Sequence, residues 1–180
     1  QQAYAEKWGL ATARLRLKGV NPYDLQLFIR AFKFEEDVEV WAKNTSDDTF
    51  QKIHTFKFCE NVGELGPKRR EGDMQIPEGL YHISQFNPTS DYFLSLKINY
   101  PNISDRILGD PERPGGQIFI HGGCATIGCI PITNEGIKEL YLWSVLAKNN
   151  GQEQIPVHIY PARFTPENWE LLKAQYSIEK

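Results

Sequence analysis

The chain has 180 residues, with 20 Lys plus Arg against 23 Asp plus Glu and a formal net charge of −3. That length suits one domain, with a core large enough to need no metal or disulfide staple, and the mild acidity argues against a nucleic-acid binder, which presents a basic face. No apolar run approaches the ~18 residues that a membrane helix needs, so no transmembrane segment is expected. No signal peptide is visible; because Gln1 is not a natural start, removal of an export signal fits the sequence.

Residues 3–18 read as a helix, with Tyr4, Trp8, Ala11 and Leu15 near one stripe and Gly19 as its stop. From Leu25 the pattern turns to strands. Gln26 to Phe34 and Val38 to Lys43 form a hairpin about Glu35-Glu36-Asp37, and Phe50 to Phe58 follows after a polar turn. Phe28, Phe32, Phe34, Trp41, Phe56 and Phe58 are the expected packing residues of this meander. Asn61 to Gly79 is a long loop broken by glycine and proline; loops of that length inside a compact domain are often functional. Leu80 to Phe86 is a further strand. Tyr92, Leu94, Leu96, Ile98 and Tyr100 alternate with their neighbours, the clearest period-two signal in the chain. A second loop runs from Pro101 to Gly116. Thr133 caps a helix from about Asn134 to Lys148, with Ile137, Leu140, Tyr141, Ser144 and Val145 on one face. Ile155 to Tyr160 is a strand that Pro156 should keep near an edge. Thr165 and Pro166 open a last helix ending near Tyr176. The sum is a mostly β (α+β) domain with peripheral helices, flanked by an N-terminal helical segment over 1–19 and a C-terminal helix over 163–180 packed on the same domain.

The chemistry concentrates in one stretch, 117–131. A short β-branched and aromatic run delivers His121, a glycine-rich loop follows, and Cys129 comes eight residues after the histidine. A thiol becomes a nucleophile when a neighbouring base or dipole favours its thiolate. In the nucleophilic reading Cys129 attacks, His121 takes the proton, and backbone N–H groups near Gly128 hold the oxyanion. Two other readings stay open on spacing alone. One is a buried histidine with two core cysteines. The other is a zinc site of His121, Cys124 and Cys129, whose fourth ligand would be a distant Cys59, His54, His82 or His158. With three cysteines, Cys59 paired to Cys124 would spare Cys129; Cys59 as a small buried strand residue fits equally well. Lys68-Arg69-Arg70 is the tightest basic run, and Glu71 and Asp73 follow it at once. It reads as a solvated loop or as a contact for an anionic substrate. His82 is a further candidate to approach the cleft.

The run His121-Gly122, then Thr126-Ile127-Gly128-Cys129, resembles the signature of the L,D-transpeptidase catalytic (YkuD-like) domain, and most of all its YafK-type branch. Cys124 falls on that branch's first motif cysteine, and Thr126 on a serine position. Phe28-Ile29-Arg30-Ala31-Phe32-Lys33, Leu65-Gly66-Pro67-Lys68, Glu71-Gly72-Asp73, Pro77-Glu78-Gly79-Leu80-Tyr81, and Tyr100-Pro101-Asn102 with Asp105-Arg106 extend the likeness to roughly 20–160. Ile127 stands where many members of the wider family carry a second histidine, and Pro131 where many carry Arg or Asn.

The resemblance implies an L,D-transpeptidase-type β-sandwich over 20–162 acting on peptidoglycan stem peptides, with no cofactor and no metal. The thiol at Cys129 would attack the carbonyl at the L-centre of diaminopimelate, and His121 would activate it. Gly122, Gly123, Thr126 and Gly128 would shape the oxyanion and substrate contacts. On our own reading of the residues, the loop Leu65 to Gly79, with Lys68 and Arg69, is the candidate cleft wall for an acidic stem peptide. The acyl-enzyme would pass to an amine or to water. The hydrolytic alternative is an L,D-carboxypeptidase or an amidase releasing a wall-linked lipoprotein. An alternative of another class is a non-catalytic peptidoglycan-binding module. Either role implies an exported, periplasmic or envelope-associated protein.

Overall fold

The structure is a computed structural model and describes residues 1–175. The elements in chain order are α1 (Gln2–Leu17), β1 (Leu25–Phe32), β2 (Asp37–Asn44), β3 (Gln51–Lys57), β4 (Gly79–Ser90), β5 (Phe93–Ile98), α2 (Ile103–Leu108), β6 (Phe119–His121), β7 (Ile130–Pro131), α3 (Thr133–Asn149), β8 (Pro156–Tyr160) and α4 (Pro166–Gln175). The predicted end of the last helix at Tyr176 lies outside the described residues.

The strands form one curled eight-stranded sheet in the order β3-β2-β1-β8-β4-β5-β6-β7. β4 belongs to both halves. Its first residues, Gly79 to His82, pair with β8, and from Ile83 onward it pairs with β5. Register shifts at Ile83/Gln85 and Asn87/Ser90 bend it there, as bulges do. This curl is how the expected mostly β (α+β) sandwich arises from a single sheet.

β1 alternates strictly, with Leu25, Leu27, Ile29 and Ala31 turned into the core. The inner face is therefore aliphatic. Of the aromatics expected to pack in this meander, Phe56 and Phe58 are buried, Phe32 is buried on the opposite face beneath Arg163 and against Tyr160, and Phe34 is half exposed because it follows β1 into the turn. Phe28 and Trp41 lie on the outer face, Phe28 against Phe50 and His158, and Trp41 under the Arg30 guanidinium.

Two further expectations are corrected. β8 is a central strand, parallel to β1 and antiparallel to β4. Pro156 is tolerated because it is the first residue of the strand: it lies opposite His82 of β4, and the register with β1 begins only at Val157. A proline's missing N–H costs nothing where no ladder bond is due. The loop from Pro101 also hides α2, which is opened by a reciprocal capping box between Asn102 and Asp105; Asn followed three residues later by Asp was a readable start signal.

α3 packs on β1, β5 and β6 and against α1. Thr133 Oγ1 accepts the Gly136 N–H at 3.2 Å, so it does cap the helix. The buried face is wider than the predicted stripe, since α3 is covered on two sides. Its centre is Trp143, fully buried, whose indole N–H donates to the Ala11 carbonyl of α1 at 3.0 Å. At the other end of the chain, Thr165 Oγ1 accepts the Asn168 N–H, and Pro166 is the first residue of α4.

Candidate active site

Strand register brings the histidine and the cysteine together. His121 ends β6, opposite Ser95 of β5 on one side and Pro131 of β7 on the other, and Ile120 pairs with Ile130. β6 and β7 run parallel although only residues 122–129 separate them, so the chain must loop back tightly. Gly123 (φ +66°) and Gly128 (φ +120°) adopt the left-handed backbone that this return needs. Cys129 therefore ends beside the start of β6. Its Sγ accepts the Phe119 N–H at 3.4 Å and lies 3.6 Å from the Gln117 carbonyl, to which the thiol donates.

The same loop is clamped from outside. Cys59 and Cys124 form a disulfide, and the Cys59 N–H donates to the Pro131 carbonyl at 3.0 Å. Asn134 Oδ1 accepts the Gly123 N–H at 2.8 Å. The disulfide removes two of the thiols that a zinc site would use, and among the described residues no group of three or more His, Cys, Asp or Glu is placed to hold a metal.

His121 is 1% exposed. Its Nδ1 meets the Gly122 carbonyl. A carbonyl only accepts, so Nδ1 carries the proton and Nε2 is left as the base. Burial pushes the imidazole pKa below its ordinary value, against the pull of the Gly122 bond. Burial also pushes the Cys129 thiol up, only partly opposed by the Phe119 N–H and the charge of Lys68. Both shifts favour the neutral forms.

Cys129 and His121 line one cleft of about 260 Å³ with Asn87, Ser90, Asp91, Tyr92, Ser95, Gln117, Phe119, Ala125, Thr126 and Ile127. Sequence reasoning passed over Tyr92 as a site residue, counting it as a strand position. It sits instead at the tip of the β4–β5 hairpin, with its ring centroid 4.6 Å from that of His121.

The other expected site residues fall in different places. Thr126 Oγ1 accepts the N–H groups of Gly128 (3.3 Å) and Cys129 (2.9 Å) and donates to the Cys129 carbonyl (2.9 Å). The two donors expected for an oxyanion thus end on a hydroxyl whose hydrogen-bonding capacity is used. Gly122 makes room for the protein and not for a ligand: a Cβ there would lie 2.6 Å from Asn134 Oδ1 and 2.7 Å from the Tyr92 carbonyl. Gly128 is likewise pressed on the Gln75 carbonyl, 2.8 Å from a would-be Cβ. The loop 61–79 thus backs the Cys129 turn. It is held by two buried lysines. Lys33 donates to the Gly66 and Ile76 carbonyls and to Glu78, while Lys68 donates to Asp73 (2.6 Å) and the Arg70 carbonyl. Lys68, Arg69 and His82 are not among the residues that line the cleft.

The chain is similar to known proteins in sequence and in fold. It matches the L,D-transpeptidase catalytic domain (YkuD) over residues 40–159. It is 35% identical to YafK of Escherichia coli (strain K12) in an alignment 164 residues long that covers 83% of this chain and 65% of that protein. The chain thus spans about 65% of the length of that relative. Its fold is similar to that of the helical cell shape determining protein Pgp2 from Campylobacter jejuni, at 22% identity and a TM-score of 0.60, over 85% of this chain and 56% of that one. A similar likeness holds to Bd1075 of Bdellovibrio bacteriovorus, at 20% identity and a TM-score of 0.54, over 84% and 54% of the two chains. With residues 40–159 matched to the catalytic domain and this level of identity to YafK, the chain belongs to the L,D-transpeptidase catalytic domain (YkuD) family.

Proposed function

We propose that the chain is a cell-wall cysteine acyltransferase that attacks peptidoglycan stem peptides at the L-centre of diaminopimelate through a Cys129 acyl-enzyme. The observation that carries this reading is the convergence, on one cleft, of the free Cys129 thiol and a buried imidazole whose Nε2 is left unprotonated.

The chemistry follows from the protonation states. The thiol and imidazole are both neutral at rest, so His121 Nε2 takes the Cys129 proton as sulfur closes on the carbonyl carbon. The C–S bond forms and the carbonyl π electrons move onto oxygen. Collapse of the tetrahedral adduct breaks the C–N bond. The departing D-alanine amine takes the proton back from His121, leaving a thioester on Cys129. An amine or a water then attacks, with His121 again as base, and the thiol is released. Transfer to an amine is L,D-transpeptidation. Transfer to water is L,D-carboxypeptidase action or, on a wall-linked lipoprotein, amidase action. For the loop N–H groups of Gly128 and Cys129 to receive the oxyanion, Thr126 Oγ1 must turn away from them. The Cys59–Cys124 disulfide supports an exported, periplasmic or envelope location, since such bonds persist in oxidising compartments.

The test is mass spectrometry of purified muropeptides incubated with the protein and with Cys129→Ala. Tetrapeptide, pentapeptide and lipoprotein-linked stems are the substrates. Loss of D-alanine, a new cross-link or a freed lipoprotein, each absent with the variant, is the expected result and names the acceptor. No change on any stem with folded protein would overturn the reading in favour of a binding module.

A further inference from the structure

Asp91 is the one acidic residue among those that line the cleft, and no lysine or arginine is among them. Asp91 and Tyr92 form the two-residue tip of the β4–β5 hairpin, where Ser90 pairs with Phe93. Tyr92 is held on several sides. Its ring lies 4.6 Å from the His121 ring at 37°, its N–H donates to Ser90 Oγ at 3.2 Å, and its carbonyl accepts the Leu94 N–H at 3.0 Å. The same carbonyl abuts Gly122, where no side chain intervenes. Asp91 is bracketed by this tethered tyrosine and by the Ser90–Phe93 pair, and both Asp91 and Tyr92 line the cleft.

Asp91 is exposed and makes no hydrogen bond or ion pair with any of the described residues. No other lining residue carries a charge at neutral pH, because His121 is held in its neutral form and Asn87, Ser90, Ser95, Gln117 and Thr126 offer only dipoles. The nearby cation that Cys129 feels, Lys68, is buried and spent on Asp73. Tyr92 itself is 47% exposed, so part of it remains open to a ligand in the cleft. An acidic residue and an aromatic one that line the same cleft, with no lysine or arginine among the other lining residues, supply the chemistry that recognises an ammonium group.

We infer that Asp91 and Tyr92 form a specificity subsite for a primary ammonium carried by the substrate close to the carbonyl that Cys129 attacks. The inference rests on the proposed function in taking the substrate to be a stem peptide, and within it selects stems whose diamino residue keeps a free distal amine over stems in which that amine is acylated. Asp91 acts on binding and takes no part in bond making.

The experiment uses a synthetic stem tetrapeptide with a free distal ammonium and the same peptide acetylated at that nitrogen. Dissociation constants are measured on Cys129→Ala and on Cys129→Ala/Asp91→Asn, while turnover of both peptides by the wild-type protein is followed in parallel. An exposed ion pair reinforced by a ring face amounts to about a fivefold preference for the free ammonium. That preference should shrink at high salt and vanish with Asp91→Asn. Equal binding of the two peptides, a preference that survives Asp91→Asn, or binding of neither would overturn the inference. Turnover of both peptides with no preference would leave the proposed function standing and this subsite refuted. A preference without turnover would do the reverse.

Discussion

At the scale of single residues, burial moves the two groups of the proposed mechanism in opposite directions. It lowers the pKa of His121 and raises that of Cys129, so each is neutral in the resting protein. A preformed thiolate–imidazolium pair needs the reverse shifts. The sign of the pH dependence follows. As the proposed base His121 must be unprotonated, and its lowered pKa should place the acid limb of kcat/KM below the ordinary histidine value of about 6.5. Cys129 holds its proton to higher pH, so iodoacetamide labelling of the protein should climb with pH through a midpoint above about 8.5. Labelling that is already maximal at pH 6 would show that an ion pair exists and that burial does not govern the thiol. Backbone strain also collects at the site. Met74, Phe93, Gln117 and Thr133 are non-glycine residues at positive φ, and each borders the cleft, the Cys129 turn or its exit. Such conformations cost of order 1–3 kcal/mol each and persist where the surroundings impose them. None was legible in the sequence, because only glycine advertises a left-handed position.

At the scale of elements, the site is a strand end and a loop held in place by three unlike devices: parallel pairing of β6 with β7, the Asn134 side chain at Gly123, and the Cys59–Cys124 bond. The disulfide closes a sequence separation of 65 residues. A cross-link over a loop of that length contributes about 2–4 kcal/mol, chiefly by restricting the unfolded chain. Reductant should therefore lower the urea midpoint of the wild-type protein by a corresponding amount. Cys59→Ser/Cys124→Ser should start at that lower value and not respond to reductant. A wild-type midpoint that ignores reductant would show that the bond does not stabilise the fold. The motif spacing carried the pairing as one of two options, and it carried His121 and Cys129 as partners. It did not carry the tip of the β4–β5 hairpin. Tyr92 continues the period-two alternation of Leu94, Leu96 and Ile98, so its displacement into the turn over His121 follows from the register of β4 against β5, which a single strand's pattern does not encode.

At the scale of the whole molecule, α3 fastens the curled sheet, and Trp143 is its largest fully buried side chain. It touches the Phe56 and His54 rings of β3, with centroids 6.1 and 6.3 Å away, while its indole N–H reaches α1. Trp143→Ala would leave a cavity between both layers and remove the indole bond to the Ala11 carbonyl, a loss of about 3–5 kcal/mol. Trp143→Phe keeps most of the volume and should recover more than half of it. Equal unfolding midpoints for Trp143→Ala and the wild type would mean that α1 and the sheet are not joined through this side chain. The predicted stripe of α3 missed Trp143 because a stripe assumes one covering surface, and here α1 and the sheet cover two.

What the sequence by itself determined was local. Helix ends came from Gly19, Thr133, Thr165 and Pro166, strand periods from alternating apolar residues, and the candidate pair His121 and Cys129 from the glycines that flank them. These signals act within a few residues, through backbone conformation and hydrogen bonding. What only the tertiary structure decided was who meets whom across long separations. It set β8 at the centre of the sheet despite Pro156, buried Lys68 against Asp73, spent the Gly128 and Cys129 N–H groups on Thr126, and laid the Asp91–Tyr92 tip over the histidine. Those outcomes depend on which surfaces are left to be covered once the sheet has curled, a condition that no segment of the chain can satisfy alone.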